Sequence, residues 1–281
     1  MSVAWPRVVA EALAEDVGRG DWTSLWAVPA ETRGRGHLVA KAAGVLAGTE
    51  AFEAVYAHVD PTVAVRWHRR DGDAVQPGER VAELEGPGRS LLTGERVALN
   101  FLQHLSGVAT LTRRFVDAVA GTGVVILDTR KTTPGLRALE KAAVRAGGGR
   151  NHRSALDAMV LLKENHLALA GGIRAAVAAV RRANTLGLAV ELEIRSPAEL
   201  EEALPLEVDW LLLDNFSIPQ LRQAVERVRA YPGRRPRLEA SGGITLETVR
   251  AVAETGVDAI SIGALTHSAP ALDLSLLVEP A

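Results

Sequence analysis

Val124-Val-Ile-Leu-Asp-Thr-Arg-Lys131 is a short apolar run that ends in polar and basic residues. From about residue 120 onward the same order returns: an apolar run, a polar loop and then a helical pattern of roughly ten to fifteen residues. The runs are nearly continuous in hydrophobicity, as strands buried on both faces of a parallel sheet should be. The six runs are Val124–Leu127, Ala158–Leu162, Ala189–Ile194, Trp210–Leu213, Arg237–Glu239 and Ala259–Ile262. The sequence therefore predicts six parallel βα units that either close into a barrel or wind an open sheet.

Helical patterns fill the segments between these strands. The clearest are Ile173–Asn184, Pro197–Leu204, Ile218–Arg229 and Thr245–Glu254. Ser196 and Thr245 stand in N-cap positions, where a hydroxyl accepts a hydrogen bond from the first helical turn.

The first 90 residues show a different pattern, which predicts an α+β domain. Residues 36–43 and 62–68 resemble strands, residues 49–58 form a helical pattern, and residues 71–89 are rich in Gly and Pro. A longer helical region, residues 92–120, is predicted to break near Gly107 and to lead into the parallel strands.

The predicted fold class is therefore α/β with two domains. Residues 1–107 form the N-terminal domain, and residues 108–267 form the barrel that carries the site. Apolar residues alternate in the tail, so we expect residues 268–281 to return as a strand to the first domain.

Composition excludes several classes of protein. The 281 residues are 47% hydrophobic and 23% charged with a net charge of −2, as in globular proteins, and give no reason to expect a nucleic-acid or membrane partner. There is no cysteine, which excludes disulfides, cysteine-bound zinc and thiol catalysis. Charged residues interrupt the N-terminal segment and no long apolar run occurs, so a cytoplasmic protein without signal peptide or membrane span is expected.

Polar and charged residues follow each predicted strand, at the edge where active sites of parallel α/β folds are built. They are Asp128–Lys131, Lys163–His166, Glu193–Arg195, Asp214, Ser241–Gly243 and Gly263. Turn formation and helix capping would account for Asp214 and for Ser241, if each residue is considered by itself. They do not account for two lysines and two arginines at one edge, because like charges repel unless an anion lies between them. The sequence thus predicts an anion-binding site.

The basic residues of this site favour a substrate with two carboxylates. Arg130, Lys131, His152 and Arg153 follow a buried strand and the glycine turn 147–149. Arginine binds carboxylates through two parallel hydrogen bonds, and several arginines together select a dicarboxylate. Only four lysines occur, three of them between residues 131 and 163, although chance and a codon bias toward arginine would explain this equally well.

Two further features indicate phosphate chemistry. Ser241-Gly-Gly-Ile-Thr245 follows a strand and is predicted to open a helix, so that backbone N–H groups can bind a phosphate, with Gly263 after the next strand. Glu193 and Asp214 supply carboxylates that could hold Mg²⁺ together with substrate oxygens, or could simply pair with the basic cluster.

At these residues the sequence resembles the quinolinate phosphoribosyltransferase family, also called carboxylating nicotinate-nucleotide pyrophosphorylase. The matching stretches cover most of residues 95–267. They are Glu95–Asn100, Asp128–Gly135, Gly147–Arg153, Lys163–His166, Glu191–Glu193, Leu213–Phe216, Ser241–Gly243 and Gly263–His267. Their joint occurrence in this order is specific, although Ala146 and Arg195 stand where the family is expected to have a cysteine-like residue and an acid.

The resemblance implies an N-terminal α/β sandwich, an incomplete six-stranded α/β barrel and a homodimer with shared active sites; whether dimers assemble further into a hexamer stays open. It also implies transfer of the phosphoribosyl group of phosphoribosyl pyrophosphate to quinolinate, with loss of CO₂, in NAD biosynthesis. By position, Arg130, His152 and Arg153 would bind the quinolinate carboxylates, and the partner subunit's Arg96 would reach into the site.

The resemblance assigns the remaining residues to the phosphoribosyl donor. Lys131 and Lys163 would lie between quinolinate and the pyrophosphate, while Glu193 and Asp214 would serve the ribose hydroxyls and Mg²⁺. These four residues are the predicted catalytic set. The 5′-phosphate would be bound by Ser241, Gly242, Gly243 and Gly263.

Two alternatives stay open at this point. Another enzyme of the same architecture, such as a nicotinate phosphoribosyltransferase or a relative associated with molybdenum transport, would not need the clamp of Arg130, His152 and Arg153. A catalytically silent protein that binds a phosphorylated metabolite would have no use for Lys163, Glu193 and Asp214 together.

Overall fold

The computed structural model describes residues 5–281, so the first four residues of the predicted N-terminal domain lie outside the described part. The chain forms two compact units that are discontinuous in sequence. Unit 1 comprises the residues up to 113, residues 132–148 and residues 264–281. Unit 2 comprises residues 114–131 and 149–263. The division into continuous domains at residue 107 stays a prediction.

The elements are numbered along the chain. Up to residue 118 they are α1 (Trp5–Val17), α2 (Trp22–Ala27), β1 (Arg33–Ala40), β2 (Gly44–Val45), α3 (Thr49–Val59), β3 (Ala64–Trp67), β4 (Ala74–Val75), β5 (Arg80–Pro87) and α4 (Gly88–Ala118). The next are β6 (Val125–Leu127), α5 (Arg137–Ala146), β7 (Val160–Leu162), α6 (Glu164–Ala170), α7 (Ile173–Ala183), β8 (Val190–Ile194) and α8 (Pro197–Ala203). The last are β9 (Trp210–Asp214), α9 (Ile218–Arg229), β10 (Arg237–Ser241), α10 (Val249–Ala253), β11 (Ala259–Ser261), α11 (Ala264–His267) and β12 (Leu274–Pro280).

Unit 1 contains an antiparallel sheet with the strand order β12-β1-β5-β3. Burial alternates along β1, where Leu38 and Ala40 are fully buried, so one face of the sheet packs against the core of the unit. β12 pairs with β1 along its whole length, with Leu276 opposite Leu38. The end of the described chain therefore lies in the same sheet as one of its first strands.

Two local predictions for the helices are wrong, each for a physical reason. Helix α4 continues through Gly107 without a break. The glycine is needed there because the backbone at Pro270 passes too close to leave room for a Cβ. Helix α10 begins at Val249, because Thr248 closes a turn onto Thr245 first. The N-cap at Ser196 is confirmed, since its side chain accepts from the Glu199 N–H.

Unit 2 contains the predicted six parallel strands, in the order β6-β11-β10-β9-β8-β7. Within the described part of this unit β6 and β7 are the edge strands, so the barrel is incomplete. The predicted fold class, an N-terminal α/β sandwich domain plus an incomplete six-stranded parallel α/β barrel, is confirmed; the sheet of the N-terminal domain is antiparallel.

Alternation along the parallel strands decides which side chains enter the interior of the barrel. In β10, residues 237, 239 and 241 share one face, and in β8 residues 191 and 193 do so, because neighbouring strand residues point to opposite sides. None of the helices in residues 5–281 has the length and apolar character needed to cross a bilayer.

Candidate active site

A pocket of about 620 Å³ opens at the carboxyl ends of the parallel strands in unit 2. Its wall consists of loop residues that follow the strands and of inward-facing strand residues. The lining residues are Thr129, Arg130, Lys131, His152, Arg153, Leu161, Lys163, Glu193, Leu212, Asp214, Asn215, Glu239, Ser241, Gly242, Gly243 and Ser261. The edge where the sequence predicts a site is thus the edge that carries the pocket.

Ten of the twelve predicted site residues line this one pocket. The two exceptions are Arg96 and Gly263. Arg96 is exposed on helix α4 in unit 1. Gly263 lies two residues after the end of β11, outside the lining. The pocket therefore unites the predicted carboxylate-binding residues with the predicted donor-binding residues.

The basic side of the pocket holds like charges close together. Arg153 is half-buried, and its Nη1 donates to the Met159 carbonyl at 3.0 Å. Burial, and after it the neighbouring charge of Arg130, lowers the pKa of the Arg153 guanidinium, while Glu191 acts in the opposite direction. An anion placed between Arg130 and Arg153 would relieve this repulsion, so the wall is suited to bind carboxylates.

Asp128 fixes the segment that carries this wall. Its carboxylate is fully buried at the end of β6. One oxygen accepts the His152 backbone N–H at 2.8 Å, and the other accepts the Asn151 side-chain amide at 2.6 Å. A backbone bridge between Leu127 and Arg150 holds the same segment against β6. The sequence suggested Asp128 only as part of the site edge, whereas its contacts here are structural.

The acidic side of the pocket lies on β8 and β9, which are neighbours in the sheet. Glu193 is 9% exposed, with Oε2 at 3.3 Å from Lys163 Nζ. Asp214 accepts a hydrogen bond from the Asn215 amide at 2.8 Å. Arg195, which stands where the family is expected to have an acid, pairs with Glu164 at 2.6 Å and with Glu199.

Two glycines form the part of the pocket after β10. Gly242 and Gly243 have φ of +100° and +58°, a region that side chains disfavour. A Cβ on Gly242 would collide with the Asn215 side-chain oxygen, so the loop can pass closely only without one. Helix α10 begins several residues later, so a phosphate bound here would meet loop N–H groups rather than the start of a helix.

The floor of the pocket contains a cluster that the sequence did not predict. His152 Nε2 lies 2.9 Å from a Glu191 oxygen and 3.5 Å from a Glu239 oxygen. Glu191 and Glu239 are 0% and 1% exposed. A signal was nevertheless present in the sequence, because Glu191 in β8 and Glu239 in β10 each stand between two apolar neighbours. A carboxylate in such a place is buried only at a cost unless it has a partner.

Burial raises the pKa of the Glu239 carboxyl to about 8, and the nearby charge of Glu191 adds to this effect. His152 and a hydrogen bond with Ser261 act in the opposite direction. Glu239 therefore keeps its proton at neutral pH, which removes one of two like charges from the barrel interior.

Comparison with known proteins identifies relatives along almost the whole chain. The family model of the quinolinate phosphoribosyl transferase C-terminal domain matches residues 108–277. The model of the N-terminal domain of the same family matches residues 21–106. A quinolinate phosphoribosyltransferase [decarboxylating] 2a of Nicotiana tabacum is 41% identical over 95% of this chain and 80% of its own. A probable nicotinate-nucleotide pyrophosphorylase [carboxylating] of Bacillus subtilis is 43% identical over 93% and 89%.

Solved structures give the same result. NadC from Streptococcus pyogenes is 41% identical with a TM-score of 0.93, covering 98% of this chain and 96% of its own. The nicotinate-nucleotide pyrophosphorylase of Francisella tularensis is 39% identical with a TM-score of 0.92 over the same shares. The human nicotinic acid phosphoribosyltransferase, at 16% identity and a TM-score of 0.60, covers all of this chain and 74% of its own and shares only the fold.

The raised pKa of Glu239 predicts a specific dependence of stability on pH. The unfolded chain loses this proton near the ordinary pKa of 4.5, whereas the folded protein keeps it to about pH 8. Between these values the folded state binds more protons, so the free energy of unfolding falls as pH rises, by up to about 1.4 kcal/mol per pH unit. Glu239→Gln should flatten this slope in denaturant titrations at pH 5, 6.5 and 8.

Glu201→Gln is the matched control for this measurement. Glu201 is exposed, and its hydrogen bond with Arg227 lowers its pKa instead of raising it. Its replacement should leave the slope between pH 5 and pH 8 unchanged. Parallel profiles for the wild type and Glu239→Gln would show that Glu239 is ionised in the folded protein.

Proposed function

The chain belongs to the quinolinate phosphoribosyltransferase family, and we propose that its reaction takes place in the pocket at the carboxyl ends of the parallel strands. The enzyme transfers the phosphoribosyl group of phosphoribosyl pyrophosphate to quinolinate. The products are nicotinate mononucleotide, pyrophosphate and CO₂, in the de novo synthesis of NAD. The observation that carries the placement is that ten of the twelve predicted site residues line one pocket.

Quinolinate is bound on the basic side of this pocket. Arg130 and Arg153 line the same pocket and repel each other. A dicarboxylate placed between them is therefore favoured in two ways, because it pairs with both guanidinium groups and also relieves their repulsion. His152, held by Asp128 through its backbone, lies beside them. Each charge-assisted hydrogen bond contributes about 1.5–3 kcal/mol, enough to prefer two carboxylates to one.

Phosphoribosyl pyrophosphate occupies the opposite part of the pocket. The loop of Ser241, Gly242 and Gly243 offers backbone N–H groups to the 5′-phosphate. Gly263, which the family pattern assigns to the same phosphate, remains a further proposed contact. Lys131 and Lys163 line the space between this loop and the arginines, where the pyrophosphate develops charge on leaving. Glu193 and Asp214 are placed to bind the ribose hydroxyls.

Glu193 and Asp214 also fit Mg²⁺. The ion prefers oxygen ligands and usually takes one or two carboxylates, with substrate oxygens and water completing the shell. Both carboxylates line the pocket from neighbouring strands, and the ion pair with Lys163 can open when a cation arrives. When bound, Mg²⁺ supplies neutralisation of the pyrophosphate charge.

The chain's own residues then act by positioning and electrostatics. The arginines hold the pyridine ring so that its nitrogen faces C1 of the ribose, and the lysines stabilise the departing pyrophosphate. Quaternisation of the nitrogen prepares the ring for loss of the adjacent carboxylate. The lining does not include a cysteine, and the mechanism needs no covalent nucleophile.

We further propose a homodimer in which the partner subunit's Arg96 completes the site. Arg96 lies one helical turn after Leu92 on α4, on the same side of the helix. In the same unit Trp22, Leu25, Trp26 and Leu92 are 50%, 43%, 80% and 37% exposed. Exposed apolar side chains in such a group are typical of a subunit interface. Assembly of dimers into a hexamer stays an open alternative.

A cytoplasmic location is proposed from the sequence and is supported by the bacterial relatives. Relatives in plants carry names that place them in mitochondria or chloroplasts, so location varies among similar proteins.

The central experiment is turnover by the purified protein. With quinolinate, phosphoribosyl pyrophosphate and Mg²⁺ it should form nicotinate mononucleotide and release one CO₂ per pyrophosphate, and chelation of Mg²⁺ should abolish turnover. Chromatography of nucleotides and trapping of labelled CO₂ provide the measurement. Turnover of nicotinate instead of quinolinate would favour the alternative phosphoribosyltransferase, and binding without turnover would favour a silent binding protein.

Arg153→Ala should weaken quinolinate binding selectively. We expect the KM for quinolinate to rise roughly 10- to 100-fold, because about 1.5–3 kcal/mol of charge-assisted hydrogen bonding is lost. The KM for phosphoribosyl pyrophosphate should change much less. Arg174→Ala, an exposed arginine on α7 outside the pocket, is the control for a lost positive charge. Equal increases for both substrates would contradict the assignment of Arg153.

Mixing two inactive variants tests the shared site. Arg96→Ala and Lys163→Ala remove residues that the proposal places on different subunits of one site. Each variant alone should be nearly inactive, whereas mixed dimers regain one intact site in two, so random exchange should restore roughly a quarter of wild-type activity. If mixtures stay inactive after verified subunit exchange, Arg96 does not act across an interface.

A further inference from the structure

A second cavity of about 440 Å³ lies at the opposite end of the same barrel. Its lining comes from the first residues of several strands, including Trp210 and Arg237. His152, Arg153 and Glu239 line both this lower cavity and the substrate pocket. These three side chains therefore border both cavities, and one of them is the buried carboxyl of Glu239.

Two chemical interpretations of the cluster of His152, Glu191 and Glu239 are possible. Three potential ligand atoms lie within 4.8 Å of one another, as in a metal site. However, His152 Nδ1 accepts the Arg153 backbone N–H at 2.8 Å, so Nδ1 carries no proton. The neutral ring then has its proton on Nε2, which donates it to Glu191 and has no lone pair for a metal. The geometry favours a cluster that shares protons.

This arrangement leaves Glu239 as the group that carries a removable proton. Glu191 accepts the His152 N–H, and its proximity opposes ionisation of Glu239. A second buried carboxylate beside it would be opposed by both desolvation and like charge. The groups that face Glu239 are Glu191 on β8, His152 and Arg153 on the segment after α5, and Ser261 on β11. Burial and Glu191 together raise its pKa to about 8.

The reaction assigned to this enzyme consumes one proton, and no donor has yet been assigned to it. When the C2 carboxylate leaves the pyridinium ring as CO₂, the electron pair of the broken bond stays on C2. A C2–H bond must then form, and until it does the pair can recapture CO₂. The donor must lie where the carboxylates are held, on the floor beside His152 and Arg153.

We propose that Glu239 gives this proton to C2 and is reprotonated from solvent through the lower cavity. The C2–carboxylate bond breaks, CO₂ leaves, and the O–H bond of Glu239 breaks as the C2–H bond forms. The resulting Glu239 carboxylate takes a proton from water that enters beside Arg237 and Trp210. Because the new proton arrives through the lower cavity, Glu239 can be reprotonated while substrate or product still occupies the substrate pocket. The inference rests on the proposed function of that pocket.

Glu239→Gln tests the proposal because glutamine has the same shape and no proton of this acidity. In a single turnover with quinolinate, phosphoribosyl pyrophosphate and Mg²⁺, pyrophosphate release should stay within a few-fold of wild type. Formation of nicotinate mononucleotide should fall by about 10²-fold, the usual effect of losing a general acid, and quinolinate mononucleotide should accumulate. Glu201→Gln, the exposed control, should change neither rate.

A structural role for Glu239 would give a different result, since both rates would then fall by the same factor. That outcome, or unchanged formation of nicotinate mononucleotide, would overturn the proposal. Glu239→Asp keeps a carboxyl and should recover part of the nicotinate mononucleotide formed per pyrophosphate released. Absence of quinolinate-dependent pyrophosphate release in the wild type would instead contradict the proposed function itself.

The wild-type enzyme provides a measurement that does not depend on folding of a variant. Glu239 holds its proton below about pH 8 and loses it above, so the ratio of nicotinate mononucleotide to pyrophosphate in one turnover should fall as pH rises from 7 to 9.5. A ratio that stays constant over this range would exclude Glu239 as the donor, whatever the behaviour of its variants.

Discussion

Mutual repulsion between positive side chains is the interaction on which the site depends. Arg130 and Arg153 line the same pocket as Lys131 and Lys163, and partial burial makes the charge of Arg153 harder to screen. The free protein tolerates this arrangement because Asp128 and Glu193 hold opposite charges nearby. The strain is relieved fully only by anions in the pocket. The same crowding of positive side chains therefore explains affinity both for a dicarboxylate and for a polyphosphate.

Periodicity and residue type were sufficient to predict the strands and most of the site. Apolar runs fix the parallel strands, and their carboxyl ends must converge, so ten predicted residues meet without any knowledge of loops. What could not be predicted depends on contacts between distant segments. The sequence predicted a helix break near Gly107, because the close approach of the backbone at Pro270 cannot be recognised from the sequence. Glu239 looked like an ordinary strand end because its partners His152 and Glu191 come from other elements.

A backbone group sets the tautomer of the histidine inside the barrel. The Arg153 N–H on Nδ1 selects one tautomer of His152, and that tautomer makes Glu191 an acceptor. Burial and the nearby Glu191 then raise the pKa of Glu239. A main-chain conformation, held in turn by Asp128, therefore contributes to the surroundings of Glu239, which lies two strands away from Glu191 in the sheet. Substitutions that move residues 151–153 should disturb the acid chemistry of the floor as much as substrate binding.

The pairing of β12 with β1 has a consequence for biosynthesis of the protein. β1 leaves the ribosome early, but its neighbour on one side is made only after all of unit 2. Until then β1 presents an open row of N–H and C=O groups, to which another nascent chain could add. The parallel barrel can fold first, while unit 1 must wait for residues 274–280. Chaperone dependence during synthesis is therefore expected to concentrate on the N-terminal sheet.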